Sequence, residues 1–290
     1  MDWKAVDERL IRRGELILDL DSLGSHEKEL EEMNKGRPGP RFKLSDSYIR
    51  LLAMVRCLFQ LPYRQLQGYT RVLHGLVPEL PEADYSGIRK RILRLKVDPY
   101  EHLSEPSGPI TIALDSTGVK VEKAGGWVER KHGKKKRYVK LHFAVRRDTH
   151  EVVSMEVTTD DVHDSKVAES LVTGANKRAE VKELLGDGAY DSCELYELLE
   201  RRGIEAVIKP KGNARSDTGP LSRSLAVGLI RELGYATWAE TVGYGGRWCV
   251  ETAYSTFKRL FGECALGRRL GSIVVELAIK VALYNRLVNM

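Results

Sequence analysis

Three acids and a short basic and aromatic pattern carry the chemistry this sequence could perform. Asp115 ends the apolar run ITIALD, Asp187 ends VKELLGD, and Glu251 sits inside Tyr244-x2-Arg247-x3-Glu251-x6-Lys258. A carboxylate at the end of a run that reads as a buried strand is costly unless a cation or hydrogen bonds compensate it. Magnesium takes oxygen ligands, keeps several waters and completes its shell with substrate phosphate, so a few carboxylates suffice. Two such ions, about 4 Å apart, activate the nucleophile, stabilise the leaving oxygen and align a phosphodiester in line. Arg247 and Lys258 would neutralise phosphate oxygens beside them, Arg247 as a planar fork and Lys258 as a point charge.

Each of these residues also has a plainer reading. An aspartate beside a glycine can simply cap a turn, and Arg247 with Glu251 could be a surface i,i+4 pair contributing only a few tenths of a kcal/mol. Strand alternation puts Ile110, Ile112 and Leu114 on one face and Thr111, Ala113 and Asp115 on the other, away from the heaviest apolar packing. Gly186 and Gly188 flank Asp187 and leave space for a substrate backbone. If residues 244–261 are helical, Tyr244, Arg247, Glu251 and Lys258 share an arc of roughly 60°. Val250, Tyr254, Phe257 and Phe261 then form an adjoining stripe that anchors the helix on the sheet. Gly243, Gly245 and Gly246 argue against a helix that already includes Tyr244. The remaining acids read as structural: Asp160, Asp161 and Asp164 precede a helix, with Asp164 or Ser165 as its N-cap. Asp191 with Glu194 resembles a capping box.

The elements that must position these acids begin at residue 110. ITIALDSTGVKV, KRYVKLHFAVRR, EVVSMEVTT, VKELLGD and IEAVIKPK read as strands, with helices at about 165–179 and 191–202 between the later ones and further helices after 220. Three strands joined by short turns, then alternating helix and strand, predict a mixed α/β sheet with flanking helices that opens on an antiparallel meander. That order is compatible with a ribonuclease H-like architecture.

Ahead of the sheet, residues 1–33 read as charged helix and NKGRPGPR as a broken basic connector. LSDSYIRLLAMVRCLFQ, capped by Ser45 or Asp46 and ended by Pro62, is followed by the helical segments YRQLQGYTRVLHGL and SGIRKRILRLKV. Together they predict an all-α, helix-turn-helix-like unit. The last of them carries Arg89, Lys90, Arg91, Arg94 and Lys96 beside Ile88, Ile92 and Leu95. That basic side either follows DNA phosphates or a groove, or is a solvated cationic face. DPYEHLSEPSGP marks the boundary, giving a helical DNA-binding region over 1–105 and a catalytic domain over 106–290.

Composition narrows the partners. The 290 residues are 42% apolar, enough for a core, and the formal charge of +6 favours encounter with polyanions. A second basic element, WVERKHGKKKRYVK, includes Lys134, Lys136 and Lys140 and would add counterion release on DNA. The four cysteines have no CxxC spacing, so neither a zinc site nor a disulfide framework is indicated, and a reducing cytoplasm fits. The N-terminus is charged rather than signal-like. The apolar C-terminal stretch carries Glu276, Lys280 and Arg286, so no segment is expected to span a membrane. His132, His142 and His163 follow no ligand pattern and read as surface or satisfied core residues.

The ordered motifs LDSTGV and DGAYDS, the gapless Tyr-Arg-Glu-Lys pattern and VHDSK make the chain resemble the DDE transposases of bacterial and archaeal insertion sequences, specifically the IS4/IS5 group, through most of residues 110–262. The resemblance implies that Asp115, Asp187 and Glu251 hold two magnesium or manganese ions and that Tyr244, Arg247 and Lys258 contact DNA near the scissile phosphate. It further implies end recognition by the N-terminal helices, hydrolytic nicking, and attack of the freed 3'-hydroxyl on target DNA by a homodimer or higher assembly. A prokaryotic cytoplasm with nucleoid-associated DNA would be its setting. Two other readings stand beside it: a domesticated, inactive DNA-binding protein and a stand-alone nuclease.

Overall fold

The charged segment ahead of the Gly/Pro connector is helical at its end: α1 spans His26–Asn34. In α2 (Asp46–Leu58) the Ser45 side chain caps the helix by accepting from the Tyr48 amide. Its periodic residues Ile49, Leu52, Ala53 and Cys57 are all buried. The helix stops at Leu58, short of Pro62, where Gln60 takes a φ of 52°. Next come α3 (Tyr63–Leu76) and α4 (Tyr85–Ile92), the latter capped by Asp84, which accepts from the Ser86 and Gly87 amides. The predicted continuation of α4 through Lys96 does not occur. The backbone tightens into i→i−3 bonds, Arg94 N to Arg91 O and Leu95 N to Ile92 O, so Arg94 and Lys96 follow the helix.

This computed structural model describes residues 26–121 and 138–290, with Lys4, Glu8 and Ile11. ITIALDSTGVKV is rich in β-branched residues and forms β1 (Ile110–Val121). Antiparallel to it runs β2 (Tyr138–Arg146), and antiparallel to that β3 (Val152–Thr159). After α5 (Ser165–Asn176), β4 (Val181–Gly186) lies parallel to β1 on its other side; after α6 (Cys193–Arg201), β5 (Glu205–Ile208) lies parallel to β4. The order β3-β2-β1-β4-β5 is the meander-first mixed sheet that the sequence predicts.

Side-chain alternation gives the sheet two covered faces. Ile110, Ile112 and Leu114 join Ala168, Leu171 and Leu199 of α5 and α6 in one core. After α7 (Leu221–Thr241), which Gly234 interrupts with a φ of 76°, α8 (Trp248–Phe261) covers the opposite face. There Phe143 of β2 stacks on Tyr254 at 4.7 Å and meets Phe257 edge-on at 5.5 Å. Val250, Tyr254, Phe257 and Phe261 are all buried, as the expected stripe requires.

The chain gathers into two compact units, residues 1–101 with 265–288 and 290, and residues 102–264 with 289. The C-terminal helix α9 (Leu270–Val288) thus belongs to the helical unit, whereas the sequence division kept all of 106–290 together. Within that unit Glu276 of α9 is almost fully buried. It accepts from the Leu266 and Gly267 amides, lies 3.2 Å from Lys280 and 3.5 Å from Arg56 of α2. Such a buried ionic group ties elements distant in sequence, because removing one partner leaves a charge stranded. Among the described residues no helix is long and apolar enough to cross a membrane.

Candidate active site

Register alone brings the two aspartates together. The parallel ladder between β1 and β4 ends at Ala113 opposite Leu185. Two residues further along each chain come Asp115 and Asp187, at one level and on one face, since strand side chains alternate. Asp187 keeps extended backbone there and turns one carboxylate oxygen to the Ala189 amide at 2.9 Å, so the turn-capping reading of this residue is also realised.

α8 brings the third acid. Asp115 faces Phe143 across the β1–β2 ladder, and Phe143 is the ring on which Tyr254 stacks. The Tyr254 hydroxyl sits between the carbonyls of Asp115, at 2.7 Å, and Leu141, at 2.9 Å, which share its one proton. This pins the helix over β1 at the level of Asp115. Glu251, in the first turn of α8, is thereby near enough to Asp115 to share Arg247 with it.

Tyr244–Arg247 is a 3₁₀ turn entered through Gly243, whose φ is 64°, and α8 starts only at Trp248. The helix does not include Tyr244, as Gly243, Gly245 and Gly246 suggested: the backbone turns before it. Arg247 still reaches the acids. Its Nη1 lies 3.3 Å from Asp115 Oδ2, and its Nη2 is hydrogen-bonded to Glu251 Oε1. Tyr244 is buried, packs on Trp238 at 5.1 Å, and burial pushes its hydroxyl up to about 12. Lys258 is partly exposed on α8.

The site is short of positive charge. Burial raises the pKa of Asp115, and nearby Asp187 and Glu251 raise it further, against the Ser116 amide and Arg247. Tyr190, fully buried and within electrostatic reach of Asp115, Asp164 and Asp187, has a hydroxyl with no hydrogen-bond partner. This all-oxygen, net-negative donor set has the chemistry a hard divalent cation needs. The arrangement itself is more open: among the described residues no three His, Cys, Asp or Glu side chains close on a common point. A guanidinium spans two of the three acids instead.

On the opposite face of β1, directly behind Asp115, lies a cluster that the sequence reading assigned elsewhere. Asp164 sits at the start of α5 but makes no capping hydrogen bond. Its carboxylate crosses to the sheet and accepts from Ser116 Oγ and Lys140 Nζ, both at 2.9 Å. Lys140, grouped by sequence with the DNA-facing cations, also donates to the Val162 carbonyl and is committed inward. His142 lies within 3.9 Å of Asp164, fully buried, with Nε2 2.8 Å from Thr158 Oγ1. Burial drives its pKa down to about 4. Asp191 is likewise no cap, since Ser192 caps α6 and Asp191 forms a buried pair with Arg223 at 2.7 Å. In each case a long cation within reach offers a carboxylate a stronger bond than a helix amide does.

A sequence model described as the transposase DDE domain matches residues 106–286, and a second of the same description matches residues 11–124. The chain belongs to the transposase DDE domain family. Solved structures resemble this transposase at low similarity. A piggyBac transposase synaptic complex with hairpin DNA is 11% identical, with 96% of this chain and 74% of that one covered and a TM-score of 0.42. A simian T-cell lymphotropic virus intasome in complex with a PP2A regulatory subunit is 15% identical over 72% and 69% of the two chains, with a TM-score of 0.27. The Mos1 strand transfer complex is 14% identical over 76% and 81%, with a TM-score of 0.22.

The basic residues expected to meet DNA divide. Arg89 and Arg94 are exposed. Arg91 is turned inward, donating to the Leu44 carbonyl at 2.9 Å and to Asp46, and stacking over Phe42 at 4.4 Å. Lys134 and Lys136 lie outside the described residues. The motif reading did not foresee the hydrogen-bonded cluster of Ser116, Lys140 and Asp164 or the unpaired hydroxyl of Tyr190. Asp164 was visible within VHDSK, but helix-start statistics pointed it at its own helix.

Proposed function

We propose that this transposase, of the IS4/IS5 group, binds the terminal inverted repeats of an insertion sequence and performs metal-dependent cleavage and strand transfer at those ends. The observation that supports this reading is Arg247 shared between Asp115 and Glu251 on one face of a mixed sheet, with Asp187 within electrostatic reach of Asp115. Asp115, Asp187 and Glu251 would hold two magnesium or manganese ions. When bound, such ions activate the attacking oxygen and neutralise the leaving one. Arg247 and Lys258 orient the phosphate, and Tyr244 supports the DNA strand from a ring already held in place. The sheet, of ribonuclease H-like type, supplies a rigid platform for these side chains. The helices of residues 1–105, a helix-turn-helix-like unit, would read the repeats, with Arg89 and Arg94 on phosphates. Double-stranded DNA is the partner, both as element end and as target, and a homodimer or larger assembly would pair the two ends in a prokaryotic cytoplasm.

The test mixes purified protein with a duplex that carries the repeats flanking the element, in magnesium. Specific nicking at the repeat ends is expected, followed by joining to a target duplex, and both should vanish in Asp115→Ala. Cleavage that persists in this variant would remove the assigned mechanism. Tight end binding without any cleavage by the wild type would favour a domesticated binding protein, and cutting without end preference or joining would favour a nuclease.

A further inference from the structure

The acids of the proposed metal site do not wait apart for a metal: one guanidinium already joins two of them. Arg247 Nη1 lies 3.3 Å from Asp115 Oδ2 while Nη2 is bonded to Glu251 Oε1. The side chain is 19% exposed, so it is held in the site rather than waving over it. Asp187 lies beside this pair and adds to the charge that raises the pKa of Asp115.

A planar fork that bridges two carboxylates satisfies lone pairs that a divalent ion would also use. Both cannot have the same oxygens at once. We infer that Arg247 is a cationic stand-in, which keeps Asp115 and Glu251 together in the absence of DNA and gives up their oxygens to metal only when a DNA phosphate takes the guanidinium. This inference rests on the proposed metal site and deepens it. Phosphate is the natural exchange partner, because it offers the same two-pronged geometry as a carboxylate pair. The exchange links two binding events that sequence alone leaves separate. DNA draws Arg247 off the acids and strengthens metal binding; metal on the acids frees Arg247 and strengthens DNA binding by the same factor, as linkage requires. A transposase built this way holds little metal until it is on DNA, which restrains stray hydrolysis.

The experiment measures Mn²⁺ binding to the full chain from loss of the free-ion electron paramagnetic resonance signal, with and without a short duplex of arbitrary sequence. Arg247→Lys keeps the positive charge but removes the fork, so it separates bridging from bulk electrostatics. The expected result is weak Mn²⁺ binding by wild-type protein alone, strengthened on the order of tenfold by duplex. Arg247→Lys alone should bind Mn²⁺ several-fold more tightly than wild type, with a smaller gain from duplex. Equal affinities for wild type and Arg247→Lys without DNA overturn the stand-in role. Asp115→Asn shows which reading has failed. If it abolishes Mn²⁺ binding while Arg247→Lys changes nothing, the metal site stands and only the stand-in falls. If it leaves Mn²⁺ binding intact, both fall together.

Discussion

Two carboxylates sit back to back across β1 and have opposite fates. Burial and neighbouring acids raise the pKa of Asp115. Burial acts on Asp164 in the same direction, but the hydrogen bonds from Lys140 and Ser116 outweigh it and hold that carboxyl below its ordinary value. Each carboxylate accepts from two donors, but those of Asp164 outweigh its burial, whereas the Ser116 amide and Arg247 do not outweigh that of Asp115. A carboxylate whose bonds outweigh its burial serves structure, whereas one whose bonds do not is the better candidate for a partner from outside.

The largest expected effect breaks the Asp115 side. Asp115→Ala should lower magnesium-dependent cleavage by at least ~10²–10³-fold, the scale seen when one preorganised electrostatic group is removed. Its effect on stability has the opposite sign. Because folding raises this pKa, ionised Asp115 opposes the fold above its unfolded pKa. Thermal unfolding at neutral pH should therefore show Asp115→Ala equal to or more stable than wild type. A clear loss of melting temperature would place Asp115 among the satisfied acids.

The Asp164 side is probed by pH. His142 is fully buried beside Asp164 and Lys140, and burial lowers its pKa from 6.5 to about 4. The folded chain excludes a proton that the unfolded chain accepts, so this contribution is full above the unfolded pKa and is lost as pH falls from 6.5 towards about 4. The loss should reach about 3 kcal/mol at most. Denaturant unfolding of wild type and His142→Gln across that window checks it: the variant should lose this part of the slope, and identical slopes would refute the assignment.

Asp164→Ala removes the acceptor shared by Ser116 and Lys140. Leaving those donors unsatisfied should cost about 1–3 kcal/mol of stability. Cleavage should fall by about 10–100-fold, the size typical of a residue that orients a ligand rather than being one. Asp164→Asn retains an acceptor and should lie between the two. Were Asp164 merely a helix cap, Ala would cost about 1 kcal/mol and cleavage would scarcely change.

The contrast also explains what the sequence could disclose. Period-two patterning and turn residues were enough for the five longer strands, because each must bury one face whatever its partners are; the two-residue strand Cys264–Ala265, which pairs with β1, was too short to show a pattern. Ordered motifs were enough to nominate Asp115, Asp187 and Glu251. Where Asp164, Asp191 and Arg91 point was not legible, because each has a local option and a distant one. Asp164 could cap its helix or cross to Lys140, and only the packing of α5 on β2 decides between them. The grouping of α9 with the first helices was hidden for the same reason: Glu276 finds Arg56 220 residues away in sequence. Local chemistry proposes bonds, and tertiary neighbours choose among them.

The smallest effects carry the comparison from acids to cations. Arg91 resembles Asp164, with its donors spent on Leu44 and Asp46 and its plane on Phe42. Arg89 and Arg94 are instead exposed. Arg91→Ala should therefore lower the stability of the helical unit by about 1–2 kcal/mol through the lost bond to the Leu44 carbonyl and the lost stacking. Arg89→Ala and Arg94→Ala should leave stability within about 0.5 kcal/mol, as surface substitutions usually do. Each should instead reduce the slope of log K against log salt for duplex binding by about 0.9, one phosphate's worth of released counterions. Titrations by fluorescence anisotropy at several salt concentrations measure that slope directly. Unchanged slopes in both variants would make these arginines a solvated face, and an altered slope in Arg91→Ala with intact stability would reverse the division, because an arginine bound to its own backbone has no free fork to offer a phosphate.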